Sequence, residues 1–116
     1  MNHNRKGKKL GREKAARKAL MRNLAESLVV YGGMRTTVAK AKALRPIVEP
    51  LVTRAKKGTV ADRRQIMRVL YTKSAVNKLI HELAPKYKDR DGGYTRIVKL
   101  GARHNDGAEM ARIEFV

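Results

Sequence analysis

Apolar residues recur at steps of three and four along the first third of the chain, the spacing that brings side chains to one face of a helix. They predict a helix from about Arg12 that ends at Gly32-Gly33, because glycine adopts the left-handed cap conformation without strain. The segment "MRTTV" that follows is typical of a short extended piece. The predicted apolar stripe consists of Ala16, Leu20, Leu24, Leu28 and Tyr31, with Met21 and Ala25 beside it.

A second apolar stripe begins after Thr37, whose hydroxyl can accept a backbone N–H bond at the start of a helix. Gly58 ends this second helix. Pro46 and Pro50 fall inside it, and each removes a backbone donor, so we expect a kink or break near residues 45–50. The stripe consists of Ala41, Leu44, Val48, Leu51 and Ala55.

Two shorter helices are predicted between residues 59 and 85. The first follows the capping sequence "TVAD", which starts at Thr59, and the second starts at Ser74 and stops before Pro85. The residues expected to face inward are Val60, Met67 and Leu70 in the first helix, and Val76, Leu79, Ile80 and Leu83 in the second.

The last two apolar segments, "YTRIVKLG" and "AEMARIEFV", alternate loosely and are joined by "ARHNDG", which predicts an antiparallel hairpin. A lone hairpin is marginal in water, so we expect the helices to cover it and residues 34–37 to add a third strand. The predicted fold class is α+β, in two layers and in the order α-β-α-α-α-β-β, with the helices on a small, mainly antiparallel sheet. Residues 1–11 are predicted to form a basic extended arm, and residues 12–116 a single domain.

The net charge of the chain indicates which classes of molecule it can bind. The chain carries 28 Lys and Arg against 10 Asp and Glu, a net charge of +18. Residues 1–58 hold 16 bases and 3 acids, whereas residues 59–116 hold 12 bases and 7 acids. Such a field requires a polyanion, which could be nucleic acid, an anionic membrane surface or an acidic protein. Four Tyr, one Phe and no Trp disfavour a single-strand binder, which stacks bases on aromatic side chains, and favour phosphate contact with folded RNA or DNA.

The sequence gives little support for a disulfide-bonded, membrane-spanning, secreted or enzymatic protein. The chain has no cysteine, which excludes disulfides and thiolate metal sites. No apolar run is long enough to span a bilayer, and the start lacks the apolar core of a secretory signal. An Arg-rich start could also belong to a transit peptide, but here it continues into the first predicted helix. The three histidines are scattered and no glycine-rich phosphate loop follows a strand, so we expect no enzyme, metal, cofactor or small-molecule substrate.

The residues before position 23 form the first candidate site for phosphate binding. Arginine presents a planar fork to phosphate oxygens and lysine a point charge. The alternative is a charged face that is merely solvated. The candidates in this tract are Arg5, Lys6, Lys8, Lys9, Arg12, Arg17, Lys18 and Arg22.

Two further groups of candidates lie downstream. In "TTVAKAKALR", two hydroxyls at a helix start could form a small anion site beside three cations; the alternative is an ordinary capped helix. In "RDGGYTRIVK", Tyr94 could stack on a base; the alternative is a tyrosine that packs on a helix. The loop "GARHNDG" is more simply a turn that carries one arginine. The candidates are Thr36, Thr37, Lys40, Lys42, Arg45, Arg90, Tyr94, Arg96 and Arg103.

The segment at 34–56, "MRTTVAKAKALRPIVEPLVTRAK", resembles the signature of the bacterial large-ribosomal-subunit protein seventeen family. The resemblance extends over essentially the whole chain, through "HNRKGKKLGR", "RNLAESLV", "GGYTRIVKLG" and "MARIEFV". Three positions depart from the family pattern. Met34 stands for the usual isoleucine, Ala16 for a frequent histidine, and Pro46 is unusual beside the expected Pro50.

The resemblance implies a structural constituent of the large ribosomal subunit in the cytoplasm, bound to 23S rRNA near the outer end of the nascent-chain tunnel and beside neighbouring ribosomal proteins. It implies that the arm, with His3, Arg5, Lys6, Lys8, Lys9 and Arg12, penetrates rRNA. Two rival classes remain. A DNA-binding helix-turn-helix protein needs a tight turn between helices, whereas Gly32-Gly33 leads into an extended segment. A membrane-surface helix needs large apolar residues such as Trp and Phe, which are nearly absent.

Overall fold

The fold combines helices with a three-stranded antiparallel sheet, and the predicted α+β class is confirmed. The computed structural model describes the backbone of residues 2–116 and the side chains of residues 14–116. With residues 73–86 counted as one helix, the element order is the predicted α-β-α-α-α-β-β. The elements are α1 (Asn2–Tyr31), β1 (Gly33–Thr37), α2 (Val38–Lys57), α3 (Val60–Met67), α4 (Lys73–Lys78), a π-helical turn (Leu79–Leu83), α5 (Ala84–Lys86), β2 (Thr95–Ala102) and β3 (Glu109–Phe115).

The sheet has the strand order β1-β3-β2, with both pairs antiparallel, so the hairpin and the third strand are confirmed. Strand side chains alternate between the two faces. Ala111 and Ile113 of the central strand are buried against the helices, whereas Arg112 points to the outer face. Pairing of β2 with β3 slips by one residue between Lys99 and Gly101, where Gly101 has a φ of 95°. This bulge needs glycine, since L side chains rarely adopt that conformation.

Helix α2 is the central element, because it packs against α1, α3, the π-helical turn and all three strands. Its predicted stripe is entirely buried. Thr37 caps it by accepting the N–H of Lys40 at 3.2 Å. Of the kink or break expected near residues 45–50, the break does not occur, because the helix continues to Lys57; the kink stays a prediction. Pro46 and Pro50 lie on its exposed side, so the carbonyls that lose an N–H partner can be hydrated.

Helix α1 ends before Gly32-Gly33 as predicted, but it begins earlier than expected and buries other positions. Its backbone is helical from Asn2, so the extended conformation expected of the arm is wrong for residues 2–11, the part of it whose backbone the structure describes. Lys, Arg and Ala are good helix formers, and the first proline is at position 46. Ala25 and Leu28 are buried, but residues 14–20 and Tyr31 are exposed. Seven consecutive exposed residues span almost two turns, so every side of this part of α1 is exposed, and burial begins only from Met21.

The short helices also depart in part from their predicted faces. Leu70 is buried as expected, but Val60 and Met67 are exposed and Ile66 is buried in their place. An eight-residue helix that packs on α2 through one side buries few positions, and position 66 lies on that side. The apolar residues predicted to face inward between Ser74 and Pro85 do so, with Leu79 and Leu83 of the π-helical turn buried.

Helix α4 starts and ends at different residues from those expected. Thr72, not Ser74, is its cap, since its Oγ1 accepts the N–H of Ala75 at 3.3 Å. The helical path does not stop before Pro85 but continues to Lys86. In the π-helical turn the N–H of Ala84 donates to the carbonyl of Leu79, five residues back. This wider turn relieves crowding of the preceding turn by the proline ring.

The carboxylate of Glu49 fastens the start of β2 to α2. It accepts the N–H groups of Tyr94 and Thr95 at 3.1 and 2.8 Å and the Thr95 hydroxyl at 2.6 Å. Lys56, two turns further along α2, donates to the Tyr94 hydroxyl at 3.1 Å and to the carbonyl of Arg90. The Tyr94 ring lies 5.2 Å from that of Tyr87. One helix therefore holds the whole approach to the hairpin.

A second carboxylate holds the link between α2 and α3. Thr59 Oγ1 donates to Asp62 Oδ2 at 2.6 Å, and the N–H of Asp62 donates back to Thr59 Oγ1 at 3.1 Å. Arg54 Nη1 lies 3.4 Å from Asp62 Oδ1. The Thr59 hydroxyl, reinforced by Arg54, holds the pKa of Asp62 below its ordinary value. This confirms the predicted capping sequence, with Asp in the acidic position.

We predict that Glu49→Ala lowers the free energy of unfolding by about 2–3 kcal/mol, because buried donors at Tyr94 and Thr95 lose a charged acceptor. Urea denaturation followed by circular dichroism measures it. Glu82→Ala, which removes an exposed carboxylate from a helix, is the matched control and should change stability by less than about 0.5 kcal/mol. Equal stability of both variants would contradict the role given to Glu49.

We also predict a pH-dependent stability difference between the wild type and Asp62→Asn. A carboxyl whose pKa is lower in the folded state stabilises above its unfolded-state pKa, near 4, and this stabilisation is lost as pH falls through the folded-state value. The difference should therefore be largest near neutral pH and shrink below about pH 4. Urea denaturation at a series of pH values measures it. Thr59→Ala should weaken the same dependence, and a pH-independent difference would refute the assignment.

Candidate nucleic-acid interface

A groove of about 520 Å³ lies between α1, α2 and the end of α3, and we call it the basic groove. Among the described side chains, five of its lining residues are basic, three are apolar and none is acidic. The lining residues are Lys14, Arg17, Lys18, Arg22 and Arg68, with Met21, Ile47 and Val69. Cations this close together repel one another, so the groove favours a polyanion as its partner.

Helical geometry explains why four of these cations converge. Positions 14, 17, 18 and 22 follow the i, i+3, i+4, i+8 spacing, which places their side chains along one side of α1. Arg17, Lys18 and Arg22 are therefore three candidates that the structure brings together. Lys14 also lines the groove, although it is not one of the residues predicted to bind phosphate. Arg68 was missed because it lies far away in sequence, although "DRRQIMR" is itself a basic cluster that could have indicated it.

The structure removes one of the two threonines at 36–45 from the expected anion site. Thr36 is only 8% exposed in β1, so its hydroxyl is not available to a ligand and its prediction is corrected. The Thr37 hydroxyl accepts the N–H of Lys40 and keeps its own proton for an anion, so its role stays a prediction. Lys40 and Lys42 are exposed on α2. Arg45 is also exposed, with Nε 4.0 Å from Glu49 Oε2.

Burial corrects the prediction that Tyr94 stacks on a base. The residue is 1% exposed, and its ring packs against Tyr87 beneath the Lys56 ammonium. The alternative, a tyrosine packed on a helix, is the one that the structure supports. Sequence could not distinguish the two, because burial of this ring depends on the distant residues Glu49 and Lys56.

The remaining arginines of the hairpin have acidic neighbours. Arg96 Nη2 lies 2.6 Å from Glu114 Oε2, and Arg112 Nε lies 2.7 Å from Oε1 of the same residue. The two arginines, Arg112 foremost, hold the pKa of Glu114 below its ordinary value. Arg103 forms a bidentate pair with Asp106 at 2.9 and 2.6 Å, which lowers the pKa of that carboxyl. These cations are partly neutralised within the chain, whereas the salt bridges between described side chains include no cation of the basic groove.

Arg90 is exposed on the turn before β2, with its carbonyl bonded to Lys56. The candidates of the arm lie outside the residues whose side chains are described; they are His3, Arg5, Lys6, Lys8, Lys9 and Arg12. In the part of the chain that the structure describes, no group of His, Asp and Glu is arranged to hold a metal ion. Within the same residues, no helix has the length and apolar character needed to cross a bilayer.

Comparison with known proteins identifies the family. The sequence model described as ribosomal protein L17 matches residues 20–116. The large ribosomal subunit protein bL17 of Salinibacter ruber is 51% identical over 116 residues, the whole of this chain and 59% of that protein. The bL17 proteins of Gemmatimonas aurantiaca and Rickettsia bellii are 49% and 51% identical over 116 residues, covering 98% and 82% of their lengths.

These matches define the class as a ribosomal protein, which is a structural and not a catalytic component. The chain belongs to the ribosomal protein L17 family. Both the predicted family and the prediction that the chain is not an enzyme are thereby confirmed.

Proposed function

We propose that this chain is a structural constituent of the large ribosomal subunit and binds 23S rRNA through the basic groove. Residues 1–11 add further cations at the same end of α1. The partners would be 23S rRNA and neighbouring large-subunit proteins, in the cytoplasm. The observation that carries the proposal is a groove whose described lining side chains are five basic, three apolar and none acidic, in a chain of net charge +18.

The mechanism would be neutralisation of phosphates. Arg17, Arg22 and Arg68 can each hold two phosphate oxygens at once, and Lys14 and Lys18 act as point charges. Each neutralised phosphate releases condensed counterions, so the affinity should fall steeply with salt. Two RNA helices could then approach more closely than their charges otherwise permit. Such contacts position the RNA backbone and do not read its sequence.

Secondary contacts would come from exposed cations outside the groove. Lys40 and Lys42 on α2 and Arg90 before β2 are exposed. Arg45, Arg96 and Arg103 are more than two-fifths exposed at the side chain despite their acidic neighbours. They would contribute less, because RNA competes with a carboxylate for each of them.

We predict that replacing Lys14, Arg17 and Lys18 together with Gln weakens binding to 23S rRNA and lowers the salt slope of log K. The slope should fall by up to about 0.9 for each phosphate that the variant no longer neutralises, the value for duplex DNA. Filter binding at a series of KCl concentrations measures both quantities.

The matched control replaces three exposed lysines elsewhere, Lys86, Lys88 and Lys99, with Gln, which changes the net charge equally. This variant should keep most of the affinity. Equal losses in the two variants would mean that only total charge matters and would contradict the basic groove. Unchanged affinity and slope in the groove variant would contradict the proposed function itself.

We further predict that a chain lacking residues 1–10 keeps its sheet and its helices from α2 onward but binds 23S rRNA more weakly, since four Lys and Arg are removed. Circular dichroism and the same binding assay test the two parts separately. Full affinity of the shortened chain would remove the arm from the interface.

Sedimentation of a lysate at high magnesium tests association with the ribosome directly, because a ribosomal protein travels with large subunits until strong salt strips it.

A further inference from the structure

Tyr71 is an exposed aromatic side chain held in a fixed position beside the basic groove. It lies in the turn between α3 and α4 and is 54% exposed. The guanidinium carbon of Arg22, a residue of the groove, stands 3.9 Å from the centroid of the Tyr71 ring. An aromatic ring this exposed is poorly explained by packing, since burial is what an apolar ring gains on folding.

Two side chains of α1 hold the turn that carries Tyr71. Arg22 Nε donates to the carbonyl of Val69 at 3.5 Å, and Glu26 Oε1 accepts the N–H of Thr72 at 2.6 Å. Arg22 and Glu26 are one helical turn apart, so they contact the turn on either side of Tyr71. The Thr72 hydroxyl in addition caps α4. A ring fixed in this way loses little further freedom on binding.

The surroundings of Tyr71 carry the charge that a nucleotide requires. The ring lines a second groove, of about 260 Å³, together with Arg63, Lys73 and Asn77. Its other lining residues, Met67, Leu70, Thr72 and Val76, are apolar or neutral. Among the described side chains, the carboxylate that contacts the turn is that of Glu26, and it is already bonded to the Thr72 N–H. The site thus combines a planar ring, an apolar wall, an amide and two cations.

We propose that Tyr71 is a stacking platform for one unpaired nucleobase of RNA, with Arg63 and Lys73 bound to the phosphates on either side of that nucleotide. The inference rests on the proposed function and extends it from phosphate neutralisation to recognition of RNA shape. Arg22 connects the two sites, because it lines the basic groove and covers part of the ring. Every base presents a π face, so the platform selects an unpaired nucleotide and not a sequence.

The test uses two RNA hairpins, identical except that one carries a single unpaired 2-aminopurine. The wild type should bind the hairpin with the unpaired base more tightly, on the order of tenfold, as expected for one base stacked on an aromatic side chain. Stacking should also quench the 2-aminopurine emission. Tyr71→Leu should lose both the preference and the quenching but keep its affinity for the fully paired hairpin. Tyr71→Phe, which retains the ring, should behave as the wild type.

Tyr31 supplies the matched control, because it is 77% exposed and lies at the other end of α1's packed segment. Tyr31→Leu should keep the preference. If the wild type shows no preference and no quenching, the platform is refuted, and this result does not depend on whether any variant folds. A uniform loss of affinity for both hairpins in Tyr71→Leu also refutes it. Failure of the wild type to bind either hairpin at cellular salt would refute the proposed function as well.

Discussion

The chain has few acidic residues for its many basic ones, and this imbalance constrains the whole structure. Each carboxylate that is bonded within the fold is no longer available to neutralise the basic surface. Five of them fasten distant or adjacent backbone segments to one another. Glu49 holds the approach to β2, Asp62 the link from α2 to α3, and Glu26 the turn before α4. Asp106 and Glu114 pair with arginines of the hairpin. These five carboxylates are thus engaged within the fold, and among the described side chains none of them forms a salt bridge with Lys14, Arg17 or Lys18.

The basic residues are of two kinds that look alike in sequence: some are bonded within the fold, and others are exposed. Lys56 and Arg54 are structural, because they bond to Tyr94 and Asp62 inside the molecule. Lys14, Arg17 and Lys18 lie on the half of α1 that leaves the body and are exposed along its length. A rigid body with a projecting basic helix is suited to RNA, since the cations are held close together before binding and little ordering is required on contact.

The aromatic residues divide in the same way. Tyr87, Tyr94 and Phe115 cluster where α5 meets the sheet, with centroids 5.2 and 6.4 Å from Tyr87. Tyr71 stays outside, against an arginine. A low aromatic content argued against base stacking as the main mode of binding, and it is compatible with a single platform beside a surface that mainly binds phosphate. The family to which the chain belongs is structural, so both modes would serve to hold RNA in place and not to transform it.

The sequence by itself determined the order of elements, the caps at Thr37 and Thr59 and the buried stripe of α2, because periodicity and capping chemistry are local properties. The family was indicated separately, by the resemblance of motifs such as that at 34–56. Only the tertiary structure decided which faces of α1 and α3 are buried, that α2 survives two prolines, and that Arg68 joins the groove. It also decided that Tyr94, predicted to stack on a base, is buried, whereas Tyr71 is exposed. These outcomes depend on contacts between residues far apart in the chain, and local spacing carries no information about such contacts.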